Sequence, residues 1–329
     1  MISTETFNLL IRLINYVIGI PFLIFGMLGS ILTVVVFTRK RSFLRNTSVA
    51  YLLAGAIITG LHLPLIYIQT ILAYGFNTSL MNTNVAACHE HAYLRYVTTA
   101  AAISFPCWAA FNQYATTSRD VAFRNRWSSL HFARIVVLCN IIFWILIYIP
   151  ILFSTDIIHG VCVFKPCAYT TFNTFVFTPL VYGLGPAAVF ILSTRGTIKN
   201  LRSNFTHNAN ERLTIQVRRM LLPQLIILAI SGIPFGFQGI YLSMTSYIQK
   251  DAWRIALENF IGQIILIFYH FNYVFTFYIY VLMSSEVRKI LNRQILKVTR
   301  LNKIIPTDAA KENSMILRPV QAATSKPKF

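Results

Sequence analysis

Acidic residues are scarce in this chain, which has 10 Asp and Glu, 29 Lys and Arg, and only 12% charged residues in total. Soluble domains usually carry about 25% charged residues, so this composition disfavours a water-soluble domain. The apolar segments hold almost no carboxylates, because Glu90 and Glu258 lie near segment ends, and His62 and His270 are isolated in the sequence. An intramembrane enzyme would need paired carboxylates or a histidine cluster, so the sequence disfavours that class.

Other signatures of catalysis are missing as well. The sequence has no nucleotide-binding loop, no metal-ligand spacing and no nucleophile motif. We therefore predict no enzymatic activity, no catalytic residue, no metal ion and no cofactor. The halves of the chain do not repeat, which disfavours a secondary transporter, and no cleavable signal peptide is expected.

Long apolar runs are what the sequence does contain. Each has the roughly 20 residues that a helix needs to cross the hydrocarbon core of about 30 Å. Only helices and closed barrels satisfy their backbone hydrogen bonds there, and runs this continuous are helices. We therefore predict an all-α membrane protein, a seven-transmembrane helix bundle. The runs are Leu10–Thr38, Ser48–Ala73, Val85–Thr116, Leu130–Phe153, Thr171–Thr194, Met220–Thr245 and Ile255–Met283.

Basic residues concentrate in alternate loops between these runs. Of the 29 Lys and Arg residues, only Arg12, Lys165, Lys250 and Arg254 fall on the other face, and Arg95 lies inside a run. By the positive-inside rule, the basic loops and the C-terminus are cytosolic and the N-terminus is extracellular. The net charge of +19 therefore indicates contact with anionic membrane lipids and not with nucleic acid.

These runs divide the chain into four parts, and we expect a multi-pass protein of the plasma membrane. Residues 1–9 form a short extracellular N-terminus, 10–283 the seven-helix domain, and 284–297 a short amphipathic eighth helix in the cytosol. Residues 298–329 form a cytosolic tail that we predict to be disordered, because it contains prolines and little apolar content. Asn77 begins a glycosylation sequon in the first outer loop.

The five cysteines differ in their predicted depth. Cys107 and Cys139 fall inside apolar runs and are expected to be packed thiols. Cys88, Cys162 and Cys167 lie at the outer, oxidising face, where a bridge from Cys88 would fix the loop before the fifth run over the bundle. Three outer cysteines leave one unpaired, so the residues alone leave the choice between Cys162 and Cys167 open.

The first run carries Gly26-Met27-Leu28-Gly29-Ser30, and the seventh ends in Phe277-Tyr278-Ile279-Tyr280. These motifs are similar to the Gly-Asn and Asn-Pro-x-x-Tyr signatures of rhodopsin-like (class A) G-protein-coupled receptors, and the resemblance covers about 22–291. The segment from Cys162 to Tyr169 looks most like that of orphan, peptide-receptor-like members from invertebrates. Helix-signature residues of the middle runs are Trp144, Pro150, Pro186 and Pro234.

The resemblance implies a set of functional residues. The loop cysteine of such receptors stands seven residues before a Tyr, which favours a Cys88–Cys162 disulfide. A ligand would bind in the outer half of the bundle, hinges would lie at Pro186 and Pro234, and a heterotrimeric G protein would bind at the cytosolic end. The implied ligand-binding residues are Arg95, Thr99, Phe235, Gln238, Glu258 and His270, and those for G-protein coupling are Asn112, Gln113, Tyr114 and Tyr280.

The chain also departs from the family's pattern. Asn112-Gln113-Tyr114 stands where the family has Asp-Arg-Tyr, Thr59 replaces a buried Asp, Gly232 replaces a Trp, and Thr276-Phe277 replaces Asn-Pro. Asn112 and Gln113 either hydrogen-bond to other helices or are polar residues that face water at a helix end.

The resemblance implies a receptor that binds an extracellular ligand and transmits the signal to a G protein by movement of the sixth helix. The alternative is a receptor-like seven-helix protein that binds a ligand or partner with weak or no coupling, because the charged pair is missing. A channel or odorant-type receptor of opposite topology would need its basic loops on the other side.

Arg95 is a basic residue in the interior of the third run, ten residues from its start. At the depth where the family binds ligands, a basic residue disfavours an amine, because like charges repel in a medium of low dielectric constant. Arg suits a carboxylate or phosphate, so we predict an anionic or peptide ligand. The alternatives are an ion pair with Glu258 or Glu90, or extension of the side chain to the outer surface.

Overall fold

The chain forms long helices joined by short loops and one β-hairpin. The computed structural model describes residues 3–76, 78, 80–158, 160–203 and 211–304, with the backbone alone at 201–203, 211–214, 295 and 297–304. The long helices are α1 Thr4–Arg39, α2 Thr47–Phe76, α3 Val85–Thr116, α4 Leu130–Phe153, α5 168–203, α6 Glu211–Met244, α7 Ala252–Met283 and α8 Ser285–Ile304. Short helices cover Arg41–Leu44, Leu80–Asn82 and Val121–Trp127, and the strands are β1 Thr155–Ile158 and β2 Val161–Phe164.

Side-chain caps fix where several helices begin. The side chains of Ser3, Asn46, Asn84, Ser129 and Asp251 accept hydrogen bonds from backbone N–H groups in the first turns of α1, α2, α3, α4 and α7. These N–H groups have no partner inside the helix, so a polar side chain at this position stabilises the helix by about 1 kcal/mol. The capped helices α1, α2 and α7 begin before their apolar runs, and α1 therefore starts within the predicted N-terminal segment 1–9.

In the described part of the chain, six helices are long and apolar enough to cross a membrane: α1, α2, α4, α5, α6 and α7. By length and composition, these helices are compatible with the predicted helical membrane architecture. Helix α3 has 32 residues, but Glu90, Arg95, Asn112 and Gln113 make it more polar than the other six. The seven-span count and a membrane-bound eighth helix stay predictions. By itself, α8 is a helix of 20 residues that ends at Ile304, beyond the predicted end at 297.

Helix α3 is the centre around which the other helices pack. It contacts α2, α4, α5 and α6, while α7 contacts α1 and α6, which closes the ring. Every residue from Val97 to Ile103 is buried, so no face of this stretch of α3 reaches the surface. Three consecutive alanines, Ala100, Ala101 and Ala102, let neighbouring helices approach closely, as small residues do in membrane bundles.

The helices α5 and α6 cross at very short range. Helix α5 contains two π-helical segments, Asn173–Phe177 and Leu180–Leu184, before its α-helical part Gly185–Ser203. A Cβ atom on Gly232 of α6 would overlap the carbonyl oxygen of Tyr182 in the second π segment. Only glycine fits here, which explains in steric terms why this position does not carry the Trp that the resemblance implies.

A disulfide ties the loop between α4 and α5 to α3. Strands β1 and β2 form an antiparallel hairpin in this loop, with Ile157 opposite Cys162. Cys162 is bonded to Cys88 near the start of α3, as the resemblance implies, and their Cα atoms are 5.7 Å apart. Cys107, Cys139 and Cys167 are free thiols, and Cys139 is exposed, not packed as expected. We call the end of the helices that carries this bridge the disulfide end.

We expect the bridge to be necessary for stable folding. Its two cysteines are separated by 74 residues. Closing a loop of that length lowers the conformational entropy of the unfolded chain, which stabilises the folded state by about 4 kcal/mol. Cys88→Ser should therefore abolish most of the protein at the cell surface, as measured by surface biotinylation. Cys139→Ser and Cys167→Ser are the controls and should have little effect, and equal losses for all three variants would contradict the assignment.

The α5–α6 crossing gives a second prediction. Gly232→Ala should lower the melting temperature of the purified protein, because the new methyl group forces the helices apart at a typical cost of about 1–3 kcal/mol. Gly239→Ala on the same helix is the matched control, since its Cβ would meet only the Thr178 Cγ2 atom at 3.8 Å. This control should be neutral or stabilising by up to about 1 kcal/mol. Equal melting temperatures for the two variants would show that the crossing is not tight.

Candidate functional site

Arg95 is exposed on a face of α3 that is otherwise buried. Ala92, Thr99 and Ala102 are on the same face, at helical spacing, and are 8%, 5% and 5% exposed. The Arg95 side chain is exposed, and His91 lies one turn before it on the same helix. Solvent therefore reaches the inner face of α3 at this position near the disulfide end.

Three histidines and a tyrosine lie on α2, α3 and α7 next to this part of α3. The imidazoles of His62 and His270 are stacked with ring centroids 5.7 Å apart, and Tyr67 stacks on His270 at 4.4 Å. His91 lies one turn before Arg95 on α3. We call His62, Tyr67, His91, Arg95 and His270 the outer polar cluster. The sequence expectation that His62 and His270 are isolated is wrong, because folding brings α2 and α7 together.

Hydrogen bonds fix the orientation of these imidazoles. His62 Nδ1 is 2.8 Å from the Thr98 hydroxyl, which itself donates to the Leu94 carbonyl at 2.6 Å, so Nδ1–H of His62 must donate. His270 Nδ1 is 2.7 Å from the Leu266 carbonyl, which can only accept. The Nε2 atoms of His62, His91 and His270 and the Tyr67 hydroxyl are buried and have no hydrogen-bond partner among the described residues.

Thr99, Phe235, His270, Gln238 and Glu258, which are predicted to bind ligand, lie at three separate locations. Thr99, Phe235 and His270 come together around the aromatic rings of Tyr269 and Tyr273: Phe235 stacks on Tyr269 at 4.5 Å, and His270 lies 5.7 Å from Tyr273. The Tyr273 hydroxyl in this group donates to the Tyr269 hydroxyl at 3.2 Å. Gln238 is apart from this group, because its side chain packs over Gly262 between α6 and α7.

Glu258 lies in a separate ionic cluster. Its carboxylate binds Lys250 and Arg254, the latter at 3.0 Å, and accepts a hydrogen bond from the Tyr241 hydroxyl at 2.9 Å. Neither Glu258 nor Glu90 forms an ion pair with Arg95, and Arg95 has no hydrogen bond or ion pair to any described residue. The alternative in which Arg95 pairs with one of these carboxylates is therefore wrong.

A small polar cavity lies deeper, between α1, α2, α3, α6 and α7. The Asn272 Oδ1 atom at its wall has no hydrogen-bond partner among the described residues, which indicates room for a bound water. Helix α7 contributes a further hydroxyl, because Thr276 donates to the Asn272 carbonyl. The polar lining residues are all uncharged: Ser30, Thr33, Thr59, Gln224, Asn272, Tyr273, Thr276 and Tyr280.

Asn112 and Gln113 are buried at the opposite end of α3, only 0% and 4% exposed. Hydrogen bonds join Asn112 to the hydroxyls of Thr47 and Ser48 on α2, at 2.7 and 2.8 Å, and Gln113 donates to Ser48 at 2.8 Å. With its amide nitrogen turned toward the Trp127 carbonyl, Asn112 forms another bond of 2.8 Å. Of the two sequence alternatives, interhelical bonding is therefore confirmed and the water-facing arrangement is wrong.

The other predicted coupling residues also lie between helices. Tyr114 of α3 packs against Gly196 of α5, where a Cβ would meet the tyrosine ring. The Tyr280 hydroxyl of α7 donates to Gln224 of α6 at 2.7 Å. A cavity between α3, α5 and α6 is lined by Gln113 and Arg218 among others, and the Gln113 Oε1 atom has no hydrogen-bond partner among the described residues.

The remaining predicted positions are at bends and loops. Pro186 is the second residue of the α-helical part of α5, directly after its second π segment, and Pro234 is inside α6. Asn77, the predicted glycosylation site, lies outside the described residues. Hydrogen bonds from Thr170 lower the pKa of the exposed Cys167 thiol to about 7. A hydrogen bond from Lys165 in the hairpin lowers the pKa of Asp156.

Sequence reasoning missed four residues that complete the site: Tyr67, His91, Tyr269 and Tyr273. His91 and Arg95 are four residues apart, which places them on one helical face and is a signal that the sequence contains. Tyr67 has no such signal, because its position opposite His270 depends on how α2 packs against α7. Comparison with family models and with curated proteins found no match to this chain.

The uncharged lining of the central cavity makes a testable prediction. Hard cations need oxygen ligands that carry charge, so the melting temperature of the purified protein should not change when sodium replaces N-methylglucamine at constant ionic strength. Thr59→Asp should introduce a sodium-dependent stabilisation, because Thr59 is in the cavity wall. A sodium-selective shift in the wild-type protein would contradict the prediction.

Proposed function

We propose that this chain is a seven-helix receptor of the plasma membrane that transmits an extracellular signal to a heterotrimeric G protein. The single observation that carries the proposal is the central position of α3, which reaches from the Cys88–Cys162 bridge and Arg95 at one end to Asn112 and Gln113 at the other. The proposal takes α3 as the seventh span, in addition to the six that length and composition indicate. It also agrees with the resemblance to rhodopsin-like receptors.

In the proposed orientation the disulfide end is extracellular. The basic segments next to the short helices Arg41–Leu44 and Val121–Trp127 then face the cytosol and anionic lipids, as the positive-inside rule requires. Helix α8, with one acidic residue and several basic residues, would lie on the cytosolic membrane surface as the amphipathic eighth helix.

Signalling would change how α6 packs against its neighbours. The bond from Tyr280 to Gln224 holds α6 against α7 in the present arrangement, and Gln224 also donates to Thr276 at 3.4 Å. Movement of the end of α6 that carries Arg218, about a hinge at Pro234, would widen the cavity between α3, α5 and α6. A ligand drives such movement only by binding one arrangement more tightly than the other.

The alternative is a receptor-like protein that binds its ligand but couples weakly. The buried amides of Asn112 and Gln113 favour it, because both are already bonded to Thr47 and Ser48 of α2. In the family that this chain resembles, an Arg at the position of Gln113 is released toward the G protein. A neutral amide that is bonded within the bundle offers no such charge.

We therefore expect weak coupling, which a panel of G-protein activation assays in cells would measure at matched surface expression. The wild-type chain should give little signal without ligand, and Gln113→Arg combined with Asn112→Asp should increase it by restoring an acid–arginine pair. Gln113→Arg alone is the comparison, because it buries an arginine without its acid and should fold poorly. Strong ligand-independent coupling of the wild-type chain would contradict the weak-coupling alternative, and no signal from any variant would contradict the receptor proposal.

A further inference from the structure

We propose that the outer polar cluster binds a compact carboxylic acid that carries a hydrogen-bond donor, a hydroxyl or amino group, next to its carboxylate. The proposal rests on the receptor function above and names the class of ligand. Arg95 would bind the carboxylate, and the buried imidazoles of His62 and His270 would accept hydrogen bonds from the neighbouring donor.

The carboxylate of the ligand is inferred from Arg95, which has no ion pair and no hydrogen bond among the described residues. Its guanidinium has five N–H donors and, among the described residues, neither an ion pair nor a hydrogen bond. The nearest candidate carboxylates are engaged elsewhere or face away, since Glu258 binds Lys250 and Arg254 and Glu90 is on another face of α3. The exposed guanidinium is accessible to a ligand, and a planar carboxylate matches it in two parallel hydrogen bonds.

The hydrogen-bond donor of the ligand is inferred from which imidazole nitrogens carry a hydrogen atom. His62 and His270 each use Nδ1–H to donate, so in neutral rings the partnerless Nε2 atoms carry lone pairs and can only accept. Burial favours the neutral form of both rings, because a charged imidazole between helices loses its hydration. The imidazoles therefore suit a hydroxyl or amino group and would reject a second carboxylate.

Thr98 connects the two halves of the site along α3. Thr98, which holds His62 Nδ1, is three residues after Arg95, and side chains at this spacing are about 5–6 Å apart on a helix. Arg95 is exposed, whereas His62 and His270 are 2% and 5% exposed. A ligand that enters from the disulfide end would meet Arg95 first and reach the imidazoles one turn deeper.

A metal ion does not fit the same atoms. No group of three metal-ligating side chains occurs among the described residues. A cationic ligand is also unsuitable, because Arg95 would repel it.

The experiment measures the melting temperature of the purified full chain with three small probes of the same size: lactate, propanoate and lactamide, each at about 10 mM and constant ionic strength. Lactate has the acid and the donor, propanoate only the acid, and lactamide only the donor and a neutral amide. We expect the stabilisation to decrease in the order lactate, propanoate, lactamide. No stabilisation by either acid, or equal effects of lactamide and lactate, would overturn the proposal.

Substitutions test which residues bind the carboxylate and which accept from the neighbouring donor. Arg95→Gln should abolish the effect of both acids, and Arg12→Gln, which changes an exposed arginine of α1, is the matched control and should retain it. His270→Phe keeps an aromatic ring against Tyr67 but removes the acceptor, so it should equalise lactate and propanoate without loss of the propanoate effect. If lactate keeps its advantage in His270→Phe and also in His62→Phe, the imidazoles hold only water and the donor half is wrong.

Arg95→Lys keeps the experiment decisive if Arg95→Gln does not fold. Lysine keeps the charge but not the paired N–H groups, so it should weaken the effect of both acids by about tenfold in apparent affinity without abolishing it. An unchanged response would overturn the assignment of Arg95. Because binding to the purified chain is measured without a G protein, failure here and failure of coupling in cells are separate results.

Discussion

Polar groups on α3 have to find partners on neighbouring helices, because the ring of helices around it excludes water from most of its length. A buried amide or hydroxyl without a partner costs about 1–3 kcal/mol, so each one constrains the helix beside it. Asn112 and Gln113 select Thr47 and Ser48, and Thr98 selects His62. All three contacts join α3 to α2, one at the disulfide end and two at the other. The relative position of these two helices is thereby fixed along their whole length.

The two ends of α3 satisfy this constraint to different degrees. At the end with Asn112, three side-chain hydrogen bonds to α2 lie within two turns and no charge is buried. At the disulfide end, Arg95 and three imidazole nitrogens keep unused hydrogen-bonding capacity among the described residues. Unused capacity beside an exposed arginine is a cost to the folded chain that a bound ligand would offset. At the other end, the amides of Asn112 and Gln113 are bonded to α2, which favours the weak-coupling alternative.

The contact between α5 and α6 shows how one substitution can be compensated by backbone geometry. Where the resemblance implies a Trp, Gly232 allows the backbone of α6 to reach the Tyr182 carbonyl, within a π-helical segment of α5. A π-helical turn leaves a carbonyl without its usual partner, and such turns occur at functional positions. The aromatic bulk that a Trp would supply comes instead from Tyr182, Phe235 and Tyr269, whose rings pack within 4.5–6.2 Å of one another. The core is therefore filled from three helices and not from one side chain.

The sequence by itself determined the long helices and their apolar character, because helix length and hydrophobicity are local properties. It also identified Arg95 as a basic residue in the interior of the third run, and the resemblance selected Cys162 over Cys167. Only the tertiary structure decided that Glu258 binds Lys250 and Arg254, that His62 stacks on His270, and that Asn112 is buried. These outcomes depend on which faces of distant helices meet. Helical periodicity gives the face of each residue but not the rotation of one helix against another, and that rotation is set by packing of the whole bundle.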